Sequence, residues 1–317
     1  MQDSNKPTSP KPIVALTGEP LISENETERS AERKSENTDF IPVIIKRTDE
    51  TFRHPDDILE KAIHEGVEQH QRRNFSLLLS SIAAGMILCF TALLVGVMAS
   101  ILENPGEGFG RIIMASVYPL GFVLVILSRT QLFTEHTATA VYPVLDAKAN
   151  FISLLRLWAI VGTGNLVGSL IGAGMLAAAD EVIGAQSGYL YLAEHITSYP
   201  LKVILVSSVL AGWLMALGAW VILGTHSNGS QILSIYIVTF IIGVGGLHHS
   251  IAGSVELMAA YFSNSGVDFW SLPPTIGVML LGNMIGGSVF VAVLNYGHIR
   301  QSQLLKDKES VKKIIES

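Results

Sequence analysis

The chain has 317 residues, of which 49% are hydrophobic and 15% are charged, with a formal net charge of -6 and one cysteine. That single cysteine, Cys89, excludes an internal disulfide. Charge is distributed unevenly, because 26 of the 48 charged residues precede position 76 and only 15 lie between 76 and 300. This distribution predicts a charged N-terminal segment followed by an integral membrane domain at 76–300.

The N-terminal segment divides into two parts. Residues 1–53 are rich in Glu, Ser, Lys, Thr and Pro, so they bury too little apolar surface to offset the entropy of ordering, and we expect a disordered cytoplasmic tail. In residues 54–75, Pro55 and the two aspartates after it favour a helix start, and apolar residues recur at helical spacing from Leu59 to Val67. We predict an amphipathic helix at the membrane surface, with an ordinary solvated helix as the alternative.

Six hydrophobic tracts follow. Four of them, 76–101, 154–179, 201–224 and 272–296, have lengths near the roughly 20 residues that cross a bilayer. The other two, 111–145 and 231–263, are interrupted by polar clusters and are too long for one helix of ordinary tilt. Irregular backbone at membrane depth is tolerated only where it is buried in protein or lines a cavity. We therefore predict two broken spans among six, followed by a cytoplasmic C-terminal tail at 301–317.

The two interrupted tracts belong to an internal repeat. Each leads to a helix that carries Gly-Asn-aliphatic-aliphatic-Gly, at 164–168 and at 282–286. The offset is about 115 to 118 residues, and paired broken segments in two halves of a membrane protein indicate a permeation site near the midplane. The sequence thus predicts an all-α integral membrane protein of two inverted three-helix repeats, with the second and fifth transmembrane helices broken.

The orientation follows from Lys and Arg near the span ends. Basic residues precede the first span, fall between the second and third, and follow the sixth, whereas the opposite loops carry mainly carboxylates. Both termini are therefore predicted to be cytoplasmic.

These motifs resemble those of the formate/nitrite transporter family. The resemblance rests on Leu-Phe-Thr at 132–134, His-Ser at 249–250 followed by Ala252, and Gly-Asn at 282–283 followed by two glycines at 286–287. Within that family, the stretches 129–135 and 253–256 look most like the YfdC-like branch. The resemblance implies an aquaporin-like fold, a homopentamer with one pore in each protomer, and transport of formate or nitrite across a bacterial inner membrane.

His249 is the leading candidate for the chemistry of permeation. A small anion faces a desolvation barrier of order tens of kcal/mol in an idealised apolar medium, whereas its neutral acid does not. Imidazole titrates near neutrality, so a histidine at the midplane can pass a proton to the anion and recover it afterwards. The family resemblance implies the same role. The alternative is a histidine that only hydrogen-bonds the broken backbone.

Other residues are predicted to line the pore. Leu132 and Phe133 form an apolar constriction, with core packing as the alternative, and Thr134 offers a hydroxyl to the permeant. A glutamate commonly precedes the family histidine, but this chain has His248, which we include in the substrate pore and proton relay.

A supporting polar network is predicted around them. Asn165 and Asn283 each bond the backbone exposed at a break. Glu135 or Glu256 tunes the imidazole, and Arg129 pairs with one of these glutamates in a mainly structural ion pair.

We therefore expect a channel or transporter for small monovalent weak-acid anions, with proton involvement, and not an enzyme. No cofactor is expected, because the sequence has no phosphate-binding Gly-Lys motif, and a metal is not expected, because only His248 and His249 are close together. The partners are a small anion, the lipid bilayer and further copies of the chain, with no nucleic acid. Two hypotheses remain open: a pore for neutral solutes or ammonia, and a regulatory membrane protein.

Overall fold

The computed structural model describes residues 53–225, 227–264 and 266–302. All long elements in these residues are helices, which confirms the all-α prediction. The predicted tails at 1–53 and 301–317 lie outside the described residues, apart from Arg53 at one end and the last helical residues, Gln301 and Ser302, at the other.

Six helices are long and apolar enough to cross a membrane. Four of them match the uninterrupted predicted tracts to within about six residues, and the other two form the first parts of the interrupted tracts 111–145 and 231–263. The six helices are α2 (Asn74–Ile101), α3 (Gly108–Ser128), α5 (Phe151–Ala178), α7 (Leu201–Gly224), α8 (Asn228–Gly245) and α10 (Phe269–Ser302). Four shorter helices are α1 (Pro55–Gln71), α4 (Phe133–Thr139), α6 (Gln186–Thr197) and α9 (Ser250–Phe262), and single helical turns lie at Tyr142–Leu145 and Asp180–Ile183.

The second and fifth spans are broken, as predicted. Helix α3 ends at Arg129 in the left-handed conformation, with φ 57°, and α4 begins at Phe133. Helix α8 ends in the same way at Gly246, with φ 59°, and α9 begins at Ser250. Each broken span is therefore a pair of helices joined by a few residues of extended chain.

The unbroken spans pack in the same way in both halves. Helix α2 lies against α5 in the first half, and α7 lies against α10 in the second. A Cβ atom on Gly168 would collide with the main-chain oxygen of Ile82, and a Cβ on Gly286 would collide with that of Val209. Only glycine allows such close approach of two helices in lipid. Helix packing therefore explains the glycines of the repeated motif.

Helix α1 covers the end of the first broken span. Its apolar face is buried, and Gly66 lies so close to Thr139 and Pro143 that any side chain would collide with them. The ring of His70 bonds the main-chain oxygen of Ala140 at 2.9 Å and the hydroxyl of Ser153 at 2.7 Å. The helix predicted at 54–75 is thus present and docked on the membrane domain through its apolar face.

Helix α6 was not predicted. It lies between the third and fourth spans and buries Tyr189, Leu192, Ala193 and Ile196. These residues recur at helical spacing. The helix is too short to cross a bilayer, however, so span length and hydropathy do not reveal it. Helix α6 matters for the site because it carries His195.

Candidate functional site

The first break is held by one amide side chain. Oδ1 of Asn165 accepts the main-chain N–H of Phe133 at 2.7 Å, and Nδ2 donates to the main-chain oxygens of Gln131 and Ser81, both at 2.8 Å. Helix ends leave backbone groups without intrahelical partners, and these are costly in a membrane interior. Asn165 satisfies two such groups at the break and ties them to α2.

Asn283 makes the same set of bonds at the second break. Its Oδ1 accepts the N–H of Ser250 at 2.7 Å, and its Nδ2 donates to the oxygens of Ser208 at 2.7 Å and His248 at 3.1 Å. The repeat seen in sequence is thus a repeat of hydrogen-bond geometry, with α7 in the place of α2.

His249 joins the two broken spans. It is 1% exposed, and its Nε2 lies 2.7 Å from Oγ1 of Thr134 on α4. Nδ1 accepts the main-chain N–H of Ala252 at 3.2 Å. Because a main-chain N–H can only donate, the neutral ring carries its hydrogen on Nε2 and donates it to Thr134. Phe122 meets the imidazole edge-on, with ring centroids 4.9 Å apart.

His249 is one of the residues that line a large cavity of about 360 Å³. Its titratable lining residues are Arg111, Tyr118, Tyr191, His195, Tyr199, His248, His249 and Glu256. The structure brings three residues predicted from sequence, His248, His249 and Glu256, together in the wall of this cavity, and adds Arg111 and His195, which the sequence analysis missed. The helical spacing of apolar residues in 186–197 was the signal that could have found His195.

His248 points away from the hydrogen bond between His249 and Thr134. Its Nδ1 lies 2.8 Å from the hydroxyl of Ser207, and its Nε2 lies 3.3 Å from the main-chain oxygen of Ile196. A carbonyl can only accept, so Nε2 donates and Nδ1 accepts from Ser207. The ring is nearly parallel to that of His195, with centroids 6.2 Å apart.

Arg129 and Glu256 belong to different places. Arg129 lines a small cavity of about 50 Å³ with Glu65 and Glu135, whereas Glu256 lines the large one. The structure therefore does not bring Arg129 and Glu256 together as the predicted ion pair. Among the described residues, the ion pairs within 4.0 Å do not include Arg129.

Leu132 and Phe133 are buried, at 0% and 5% exposure, and they line neither cavity. No described residue lines both cavities. Thr134 follows directly and is fully buried. The residues predicted to form a constriction are thus part of a closed, buried stretch, in which Thr134 contacts His249 of the large cavity and Glu135 follows in the small one.

His136 is a buried histidine that sequence reasoning left without a role. It is 6% exposed and lines the small cavity beside Glu135. Neither ring nitrogen has a hydrogen-bond partner among the described residues, and neither has the side-chain oxygen of Gln69 in the same cavity. A polar cavity of this size has room for a few water molecules. In the described part of the chain, no three His, Cys, Asp or Glu side chains form a group that could hold a metal ion.

Comparison with known proteins gives consistent results. A family model described as "Formate/nitrite transporter" matches residues 56–297. The chain is 30% identical over 261 residues to the inner membrane protein YfdC of Escherichia coli (strain K12), which covers 78% of this chain and 81% of that protein. It resembles the structure of an FNT family ion channel with a TM-score of 0.69 and 21% identity, over 77% of this chain and 99% of that one. A pentameric formate channel with formate bound gives a TM-score of 0.60 and 20% identity, over 72% and 98%.

Proposed function

The chain belongs to the formate/nitrite transporter family, and we propose that it conducts small monovalent weak-acid anions of the formate and nitrite class through a pore centred on His249. The observation that carries the proposal is the bond between His249 and Thr134, which joins the two broken spans in the wall of the large cavity. The family and its YfdC-like branch, expected from sequence, are confirmed, and the chain is a multi-pass membrane protein.

The hydrogen bonds of His249 limit how its ring can transfer a proton to an anion. In the neutral ring Nε2 carries the hydrogen, and Nδ1 faces the N–H of Ala252. An arriving anion can replace Thr134 as the acceptor of the Nε2–H. If Nδ1 then takes a proton, the imidazolium can pass the Nε2 proton to the anion, which leaves a neutral acid and a neutral ring with its hydrogen on Nδ1. Proton transfer therefore requires the ring to release the N–H of Ala252.

The neutral acid is the form that can cross the closed stretch. Leu132 and Phe133 offer it an apolar path, and an anion would lose its hydration there at a cost of several kcal/mol. Protonation at His249 removes most of that barrier, and the acid ionises again when it reaches water. Proton transfer from His249 is thus the step at which the permeant loses its charge.

Both termini are proposed to lie in the cytoplasm of a bacterium whose inner membrane holds the protein. The support for their common side is a cluster of contacts around Arg300, near the end of α10. Arg300 lies 2.9 Å from Glu60 on α1 and 2.7 Å from Asp146 after α4. The ends of the membrane domain therefore meet. By analogy with the pentameric structure that the chain resembles, the assembly is proposed to be a homopentamer.

A neutral-solute or ammonia pore is the second candidate, and Glu256 is the observation that favours it. This carboxyl group is 7% exposed, lines the large cavity and has no hydrogen-bond partner among the described residues. When it is ionised it repels anions in the cavity. A regulatory role would depend on the tail at 1–53, which lies outside the described residues.

Reconstitution in liposomes tests the proposal. Formate and nitrite flux is measured against external pH for the wild type, His249→Ala and the control His298→Gln, whose exposed ring lies far along α10. We expect flux that rises as the external pH falls, that is lost in His249→Ala and that is unchanged in His298→Gln. Absence of anion flux in the wild type, together with passage of ammonia or water, would establish the neutral-solute alternative.

A further inference from the structure

We propose that Arg111, His195 and His248 form a second anion site in the large cavity, separate from His249, where a small monovalent carboxylate or oxyanion is held before it reaches the central histidine. The choice of anion rests on the proposed function. The site itself rests on the arrangement of donors in the cavity wall.

The two imidazole rings of the proposed site have a defined arrangement in the cavity wall. The rings of His195 and His248 lie 11° from parallel with centroids 6.2 Å apart, and Tyr199 meets both edge-on, at 5.6 Å and 5.9 Å. Each ring directs Nε2 at a main-chain oxygen, of Gly246 for His195 and of Ile196 for His248. The described residues provide no partner for Nδ1 of His195. That nitrogen is therefore open to a proton and to a ligand.

Protonation of His248 releases a further donor. Nδ1 of the neutral ring accepts the hydroxyl hydrogen of Ser207, whose oxygen also accepts the main-chain N–H of His248 at 3.2 Å. When Nδ1 takes a proton, the ring becomes the donor in that bond. The hydroxyl hydrogen of Ser207 is then free to turn toward an anion in the cavity.

Arg111 supplies a permanent positive charge next to the imidazoles. A Cβ built on Gly246 would stand 3.0 Å from Nε2 of His195 and 3.7 Å from Nη2 of Arg111, so both side chains border one small volume. Nε of Arg111 donates to the main-chain oxygen of Val244, and its terminal nitrogens have no partner among the described residues. Those terminal nitrogens are the fork that binds carboxylates and similar anions most strongly.

This volume is open only in the second half of the molecule. Gly246 and Arg129 occupy equivalent positions, each ending the first helix of a broken span in the left-handed conformation. At Arg129 a long side chain extends toward the small cavity, whereas at Gly246 there is none, and the space beside Arg111 and His195 stays free. The difference in residue type at this position thus creates the space for a ligand.

The other charged and titratable groups around the site come from α3, from α6 and the linker after it, and from α9. They are Glu107 at the start of α3, Tyr118 within α3, Tyr191 and Tyr199 on and after α6, and Glu256 on α9. The tyrosine hydroxyls add neutral donors, and the two carboxylates oppose anion entry when ionised. Clefts with low-dielectric walls strengthen such fields. Arg111, whose charge is permanent, is the group that offsets the two carboxylates and favours anion binding.

The test uses two variants that act differently and one control. His195→Gln removes a titratable ring, and Gly246→Ala places a methyl group in the space between His195 and Arg111; Arg129 shows that the fold admits a side chain at the equivalent position. The control is His298→Gln. Formate flux into liposomes is measured against formate concentration at pH 6 and pH 8. In a second assay, the melting temperature in detergent is measured in sodium formate against sodium chloride.

We expect both variants to raise the half-saturating formate concentration at pH 6 by about fivefold to tenfold, as loss of one charge-assisted bond implies, with the limiting rate kept within about twofold. Formate should raise the melting temperature of the wild type, and this stabilisation should be lost in both variants. An unchanged half-saturating concentration in both variants, or a fall in limiting rate alone, would overturn the second site.

Failure of the proposed function would look different. If the wild type carries no formate or nitrite flux but formate raises its melting temperature in a manner that depends on His195 and Gly246, the second site stands and the transport proposal fails. If formate flux is present and formate gives no such stabilisation, the second site is wrong and the transport proposal stands.

Discussion

Nε2 of His249 and Oγ1 of Thr134 lie 2.7 Å apart although the residues are separated by 115 positions in the chain and belong to different broken spans. Thr134→Val keeps the shape of the side chain but removes the acceptor, so the buried Nε2–H loses its partner at a cost of about 1–3 kcal/mol. We expect anion flux to fall by about tenfold or more, while Thr134→Ser keeps most of it. Wild-type flux in Thr134→Val would show that the bond is not part of the pathway.

The paired amides make a prediction about stability. Asn165→Ala and Asn283→Ala each remove three buried hydrogen bonds and leave backbone groups unsatisfied at a break, so each should lower the unfolding free energy by about 3–5 kcal/mol. The measurement is membrane accumulation and melting temperature in detergent. Asn228→Ala, at an exposed helix start, is the control, and equal behaviour of all three variants would contradict the role of the amides.

The left-handed conformation of Arg129 predicts that one substitution there increases stability. A residue with a Cβ at φ 57° carries a strain of about 1 kcal/mol relative to glycine, and none of the ion pairs among the described residues compensates for it at Arg129. Arg129→Gly should therefore raise the melting temperature by a few degrees. Ala147→Gly, at φ 56°, should do the same by the same mechanism. A large destabilisation by Arg129→Gly alone would show that its charge holds the fold together.

Asp146 should make stability depend on pH. Burial alone would raise the pKa of this carboxyl, but hydrogen bonds from Lys148 and Arg300 outweigh it and hold the pKa below its usual range. The Asp146 carboxylate therefore binds a proton less readily in the folded state than in the unfolded state. Its contribution to stability is present above the unfolded pKa of about 4 and is lost as the pH falls through the folded pKa. Asp146→Asn should cost about 1–2 kcal/mol at pH 7.

The test of Asp146 is a pH series of melting temperatures. The difference between the wild type and Asp146→Asn should shrink steadily as the pH falls below about 4. Arg300→Gln should follow the same trend, because it removes a donor to the same carboxylate. A difference that stays constant down to pH 3 would show that the network contributes by packing alone.

Glu256 offers a direct test of charge in the large cavity. Glu256→Gln removes a carboxylate that repels anions when it is ionised, so it should increase formate flux at pH 7 to 8 and flatten the pH dependence. The matched control is Glu194→Gln, an exposed residue of α6 that does not line the cavity. Reduced flux in Glu256→Gln would assign the carboxyl group to proton delivery.

The sequence was sufficient for the spans and their breaks, because span length and polar interruption are local properties of the chain. It was also sufficient to select Asn165 and Asn283, since the repeated motif marks them. It could not show that His248 bonds Ser207, that Glu256 shares a cavity with His249 while Arg129 does not, or that His195 stacks beside His248. Those relationships join residues far apart in the chain, and they depend on which way each broken helix turns.

The equivalence of the two breaks has a consequence for directionality. A scaffold whose halves repeat the same clamps and the same helix contacts has no built-in sense of direction, so any preference for uptake or export must originate where paired positions hold different residues. Those pairs include Arg129 with Gly246, Gln131 with His248, Leu132 with His249, His136 with Gly253 and Thr139 with Glu256. Exchanging the members of such pairs is the route to a protein that rectifies in the reverse sense.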